Sequence, residues 1–371
     1  MIVTKGIELR LYPNKGQATM FNKNIGAAIV AYNACIKTKE ELYRNYGITF
    51  NPRWQYLKDF FPWMSECDSR AILMASRNAE TAYKNWFRNL KKGIKKGHPN
   101  FKKRGKKGSY TTCANMPTEK IDKVFREGGI FISKVGVVKF RSHQDLSDIK
   151  KIRHLTIKRS SSGKYYCSIC CDVEVSELQH TGACVGVDLG LKDIIVTSDG
   201  QKIKNNHFAK KAQSRIRMLQ KQLSRRKKGS KNREKTRVKL AIAYEKLGNS
   251  RKDFIHKLTT NLVRDNDIIC IEDLNVKGML KNHKLAGAMF ANSIQKYTFP
   301  MTCATLPPPY RVFLMFFVIP QVRRGYPSPR RLRFFTVHFH LLPYLVAAKT
   351  ANLLTKCTIS RVFACTLTRN V

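Results

Sequence analysis

Two short runs constrain this chain more than any other feature: Val185-Gly186-Val187-Asp188-Leu189-Gly190 and Ile268-Ile269-Cys270-Ile271-Glu272-Asp273. Each is apolar, largely β-branched, and closed by a carboxylate. Runs of that length and type read as strands covered on both faces, as in a parallel or mixed sheet with helices packed over it. An unpaired ionised acid inside such a strand is costly, so the acids belong where the strand leaves the core. If both strands emerge on the same side of one sheet, Asp188 and Glu272 lie side by side. Adjacent carboxylates repel unless a proton or a cation sits between them, which makes a divalent metal the candidate of interest.

The segments around these runs organise themselves by period. Residues 2–12 alternate as a strand closed by Pro13, and Asn14 is placed to cap a helix running to about Tyr46. Phe21, Ile25, Ala28, Tyr32 and Ile36 give that helix one apolar stripe. A second helical block follows Trp54, and Ile72 to Leu90 make a third. From Tyr110 to Val175 strand patterns dominate, at Gly129–Ile132, Val137–Phe140, Leu155–Lys158 and Lys164–Val175. They predict a small, mostly antiparallel barrel or sandwich that the N-terminal strand could complete. After the Asp188 strand, Ile194–Thr197 and Gln201–Ile203 flank a Ser198-Asp199-Gly200 turn as a hairpin. Ile216, Leu219 and Leu223, then Val238, Ile242, Leu247, Phe254, Leu258 and Leu262, describe two helical arms that return the chain to the Glu272 strand. That layout lets the two carboxylate strands lie parallel.

Charge points to the partner. The 371 residues carry 70 Lys+Arg against 25 Asp+Glu, a formal +45, a field that concentrates polyanions and makes nucleic acid the leading partner. Two stretches concentrate the charge. Residues 91–107, KKGIKKGHPNFKKRGKK, hold nine cations and no acid, at Lys91, Lys92, Lys95, Lys96, Lys102, Lys103, Arg104, Lys106 and Lys107. The tip between the helical arms adds Arg225, Arg226, Lys227, Lys228, Lys231 and Arg233. A solvated face is the bland alternative for both, but interspersed glycines and the nearby Phe101 and Tyr110 favour contact with a nucleic-acid backbone. No apolar run reaches the roughly 18–20 residues that span a bilayer. Met1–Pro13 has no signal-peptide core. The expectation is a cytoplasmic, nucleoid-associated protein with no membrane partner and no small-molecule substrate. The eleven cysteines show no framework spacing and read as reduced, buried thiols. Cys167-Ser168-Ile169-Cys170 has zinc-ligand spacing but no second pair, and it sits in an alternating strand.

The end of the chain departs from the rest. No Asp or Glu occurs in the last 98 residues, and from residue 298 onward there are eight Arg and two Lys, reversing the earlier balance. Pro307-Pro308-Pro309, VFLMFFVIP and RRLRFFTVHFH show neither helical nor strand period. A change of reading frame near residue 298 accounts for this, against the alternative of an unusual basic tail that packs on a partner.

The sequences GVDLGLKDIIVTSDG around Asp188, SRKDFIHKLTTNLV at 250–263 and IICIEDLNVKGM around Glu272 resemble the RuvC-type core of TnpB proteins, the OrfB "transposases" of bacterial insertion sequences. GIELRLYPNKGQ at 6–17, the Tyr32-Asn33 pair and residues 82–111 resemble the same family's opening, so the likeness runs through about residue 297. The resemblance implies an α/β RNase H-like (RuvC) nuclease domain plus an N-terminal β-barrel "wedge" carrying a helical recognition insertion. The boundaries it suggests are 1–12 for the first wedge strand, 13–108 for the helical recognition module, 109–181 for the barrel, 182–297 for an incomplete nuclease core and 298–371 for an aberrant tail. It also implies a guide RNA from the element, target double-stranded DNA, and Mg²⁺ held by three carboxylates, with Asp188 the first ligand and Glu272 the second. The family's third carboxylate and its zinc ribbon would follow residue 273, where this chain has no acid and no paired cysteines. The expected protein is therefore an RNA-guided DNA endonuclease by descent, impaired in cleavage and without the structural zinc. A guide-directed binder that does not cut, and a non-specific nucleic-acid binder, are the alternatives.

Overall fold

The structure, a computed structural model, describes residues 2–49, 54–94, 97–116, 121, 124–126, 128–175, 181–190, 193–206, 208–272 and 315–317. They pack as two units. The first contains the described residues up to 175 together with 212–249, and the second those of 181–211 and 250–272 with 315–317.

The first unit is built on strand β1 (Ile2–Tyr12). Its alternation turns Ile7, Leu9 and Leu11 inward, where they are buried. Pro13, with no N–H to give the ladder, follows the strand's end. Helix α1 (Lys15–Tyr46) begins on a reciprocal cap: the Asn14 side chain accepts from the Gln17 N–H at 2.8 Å, and Gln17 Oε1 accepts from the Asn14 N–H at 3.0 Å. It ends where Gly47 adopts φ 67°, a left-handed stop that glycine takes without steric penalty. The predicted stripe of Phe21, Ile25, Ala28, Tyr32 and Ile36 is its buried face. Beyond a short helix α2 (Tyr56–Phe60) and a 3₁₀ turn at Pro62–Glu66, α3 (Ser69–Lys91) is capped by Asp68, whose carboxylate accepts from the Arg70 N–H at 3.0 Å. Ala27, Ala28 and Ala31 on α1 and Ala71, Ala75 and Ala79 on α3 are all buried, small side chains that let two helices pack closely.

Strands β2 (Gly108–Met116), β3 (Phe125–Arg126), β4 (Gly129–Ile132), β5 (Gly136–Arg141), β6 (Ile149–Arg159) and β7 (Tyr165–Glu174) complete the first unit's sheet. The order is β2-β6-β7-β1-β5-β4-β3, and every pairing is antiparallel. The N-terminal strand is thus an interior strand, with Ile2↔Glu174 to Leu11↔Tyr165 on one side and Arg10↔Arg141 on the other. The described residues form one seven-stranded antiparallel sheet with β2 and β3 at the ends of its strand order. The sheet starts at Gly108, one residue before the expected boundary, and Gly108 needs to be glycine. A Cβ there would lie 2.6 Å from Ile25 Cγ2 of α1, so the helix packs directly over this strand's first residue. On β7, Cys167 and Cys171 are buried while Cys170 falls at an intervening, half-buried position. Cys167 and Cys170 therefore point to opposite faces, as the strand reading requires.

The second unit contains β8 (Cys184–Asp188), β9 (Asp193–Thr197), β10 (Lys202–Lys204) and β11 (Ile268–Glu272). Between β10 and β11 run α4 (Phe208–Arg225) and α5 (Lys231–Asp265), the expected pair of helical arms. The sheet order is β10-β9-β8-β11-β12, where β12 is Met315–Phe317. Val185, Val187, Ile194, Ile195, Ile269 and Ile271 form one core with Leu262, and Phe254 and Leu258 of α5 pack against it. Two sequence expectations are corrected here. The arms do not belong wholly to this unit, because 212–249 pack with the first one. The tail, read as lacking any strand period, supplies β12 parallel to β11. An added parallel strand is a continuous apolar run without alternation, which a period test cannot see. The remainder of 273–371 lies outside the described residues.

Candidate functional site

The acidic centre follows from the pairing of β8 with β11. They run parallel and adjacent, with Ile269↔Val185 and Ile271↔Val187 in register. The next step up each strand is its last residue, Asp188 on β8 and Glu272 on β11. Neighbouring strands lie about 4.8 Å apart, so the two carboxylate-bearing positions are side by side at one sheet end. Val185 and Val187 point into the core while Asp188 is exposed at the strand's tip, so its carboxylate is never desolvated. The chain then turns at Gly190, where a Cβ would stand 2.5 Å from the Asp193 carbonyl oxygen. Only glycine allows this close return from β8 into β9, which explains the glycine two residues after the acid. On the other side, the Gly186 N–H donates to Ser198 Oγ at 3.0 Å and fixes the β9–β10 turn to β8. Among the described residues, no group of three His, Cys, Asp or Glu is placed to hold one ion.

The two basic stretches meet in the first unit, through Lys106 and Glu234, 128 residues apart. Lys106 Nζ lies 3.1 Å from Glu234 Oε1 near the start of α5, and Glu234 is held in turn by Arg237 at 2.7 Å. Hydrogen bonding to Arg237 first, and to Lys106 second, pulls the Glu234 carboxyl down to about 2. Arg237 also donates to the Ser161 carbonyl at 3.1 Å, tying the helix to the β6–β7 turn. From the end of β6, Arg159 donates to the carbonyls of Gly105 (2.9 Å) and Lys106 (3.1 Å). The Glu245 carboxylate of α5 receives the Tyr166 hydroxyl and faces Lys164 at 3.4 Å. One acid, Glu234, thus joins segments that sequence reading left separate. It lies inside a cation-rich stretch, where nothing in the sequence marks its partner.

The basic residues divide by what they do. Lys91 ends α3 and Lys92 caps it, both exposed. Lys95 and Lys96 lie outside the described residues. Lys103, Arg104 and Lys107 are exposed along 97–107. Lys102 is exposed as a residue but its head group is engaged by the protein: its ammonium sits 4.1 Å from the centroid of the Tyr32 ring, and partial desolvation there lowers its pKa. At the hairpin tip Arg225, Lys227, Lys228 and Lys231 are exposed. Arg226 donates to the Asn232 carbonyl, and Arg233 to those of Leu223 (2.7 Å) and Arg226 (3.3 Å). Those two arginines close the turn between α4 and α5, which leaves the four exposed cations as its outward charge.

A parallel strand pair ending in Asp and Glu, within a mixed sheet backed by a helix, makes this an α/β core. Comparison with known proteins places it further. Residues 168–283 match the OrfB family described as "Probable transposase", and residues 1–47 match its "Helix-turn-helix domain". In this chain the latter residues are a strand and a single long helix. A "Putative RNA-guided DNA endonuclease" of Streptomyces pristinaespiralis is 29% identical over 77% of this chain and 71% of its own length. InsQ of Escherichia coli, which carries the same description, is 28% identical over 75% and 68%. A Cas12f1–sgRNA–target DNA complex aligns over 85% of this chain and 89% of that chain, at 13% identity and a TM-score of 0.48. By these matches the chain is similar to the TnpB/OrfB family of insertion-sequence proteins. No described helix is long and apolar enough to cross a membrane.

Proposed function

We propose that this chain is an RNA-guided DNA-binding protein of an insertion sequence, descended from a metal-dependent DNA endonuclease and impaired in cleavage. Its partners are a guide RNA from the element and target double-stranded DNA. The observation that carries the reading is the parallel register of β8 and β11, which brings Asp188 and Glu272 to one sheet end. By strand alternation position 272 shares a face with Cys270, and Cys270 is in register with Gly186, on the Asp188 face. Relatives named as RNA-guided DNA endonucleases support the substrate class.

Acids at two adjacent strand-end positions would offer hard oxygen ligands suited to one Mg²⁺. They do not fit the two-ion centre that in-line phosphodiester cleavage uses, because two ions about 4 Å apart need more fixed negative charge than two acids supply. Residues 274–371 contain no Asp or Glu. Residues 298–371, in this reading, replace the segment that would carry the third ligand and a zinc ribbon. Asp188 and Glu272 would therefore hold at most a single cation at the sheet end, and no cleavage step follows from them.

The test is co-expression with the flanking DNA of the element, followed by sequencing of co-purified RNA, a target-binding assay and a cleavage assay in Mg²⁺. One discrete RNA, guide-dependent binding and no cutting are expected. A smear of unrelated RNA would reduce the protein to a non-specific binder. Guide-dependent cutting that is abolished by Asp188→Asn would show an intact centre and refute the impairment.

A further inference from the structure

We propose that Asn33, helped by Tyr32, is a positioning device that holds the basic segment 97–107 in one conformation before any ligand arrives. Asn33 lies on the half-exposed face of α1, outside the apolar stripe. Its side-chain amide uses both ends on a single residue 69 positions away: Oδ1 accepts from the Lys102 N–H at 2.8 Å, and Nδ2 donates to the Lys102 carbonyl at 2.9 Å. This reproduces on a side chain the two-bond pairing of a β-ladder. The neighbouring Tyr32 ring receives the Lys102 ammonium, so backbone and side chain of one loop residue are fixed together. Arg159 fixes the next stretch through the carbonyls of Gly105 and Lys106.

A segment with Gly97 and Gly105 and so many like charges would otherwise sample many conformations. Lys103 and Arg104 follow the clamped residue directly and are exposed. Clamping Lys102 thus presents them without an ordering penalty at binding, which raises affinity with no added contact. The inference rests on the reading that 97–107 meets a nucleic-acid backbone.

The experiment uses the full chain, a mixed-sequence single-stranded RNA as probe, and affinity measured across a salt series. Asn33→Ala keeps every charge and favours the helix it sits in. It should weaken binding about tenfold while leaving the slope of log affinity against log salt unchanged, giving a parallel displaced line. It should also speed tryptic cleavage after Lys103 and Arg104 in the free protein, with the helical circular dichroism intact. Asn33→Asp, which still accepts from the Lys102 N–H, should fall between. By contrast, Lys103→Gln with Arg104→Gln should lower the slope by about 0.7 for each lost contact. If that double variant lowers the slope and Asn33→Ala leaves affinity and proteolysis unchanged, the positioning role is wrong and the nucleic-acid reading stands. If the double variant leaves the slope unchanged, the segment makes no phosphate contact and both fall.

Discussion

Asn24 is fully buried among apolar side chains of α1, and it joins three elements of the first unit. Its Oδ1 accepts from the Asp68 backbone N–H at 3.0 Å, at the cap of α3. Its Nδ2 donates to the Tyr110 hydroxyl of β2 at 3.4 Å. Burial dominates at that phenol and raises its pKa strongly, so the hydroxyl stays neutral. Replacing Asn24 with Ala leaves the Asp68 N–H buried without its acceptor and removes a partner from the Tyr110 hydroxyl. Each orphaned buried group costs about 1–3 kcal/mol. The longer Tyr110 contact counts at the low end, so a loss of about 2–4 kcal/mol is expected. Tyr110→Phe removes only the weaker contact and should cost about 1 kcal/mol. The chain's three tryptophans, Trp54, Trp63 and Trp86, all lie in the helical part of this unit. Tryptophan fluorescence in urea therefore reports the unfolding of this region, separately from the second unit. The expected result is a lower midpoint with an unchanged slope against denaturant. A destabilisation below about 0.5 kcal/mol, the ordinary range for a surface change, would mean that the Asn24 amide does not hold α3 and β2 to α1.

The Glu234 bridge has a defined pH window. Its carboxyl is depressed to about 2, below the ordinary value of about 4.3. Its stabilising contribution is therefore complete above pH about 4.3 and is lost as pH falls through about 2. Carboxyl NMR should show that titration, and Arg237→Gln should raise it more than Lys106→Gln does; an ordinary titration in the wild type would mean the three groups do not meet. Burial pushes the Cys167 thiol up to about 12 and the Cys171 thiol up to about 11, so both stay protonated and shielded. Peptide mass spectrometry after brief native alkylation at pH 8 should find exposed Cys184 labelled and those two unlabelled, and rapid labelling of Cys167 would contradict its place in the core.

Local patterns in the sequence carried a good share of this architecture. β1 and its terminating proline, the Asn14 cap and the α1 stripe follow from period and capping chemistry, which act between residues a few positions apart. The same holds for the paired arms 208–225 and 231–265 and for the two apolar runs closed by acids. Tertiary structure decided what lies beside what. Placing β1 between β7 and β5, pairing β8 with β11, and joining 97–107 to the hairpin through Lys106 and Glu234 are contacts between residues far apart in sequence. It also separated cations of one composition into two kinds. Lys102 lies against Tyr32, and Arg226 and Arg233 close a turn, while Lys103, Arg104, Lys227 and Lys228 face solvent. A side chain's charge is written in the sequence, but its partner depends on which distant backbone folding brings within about 3 Å of it.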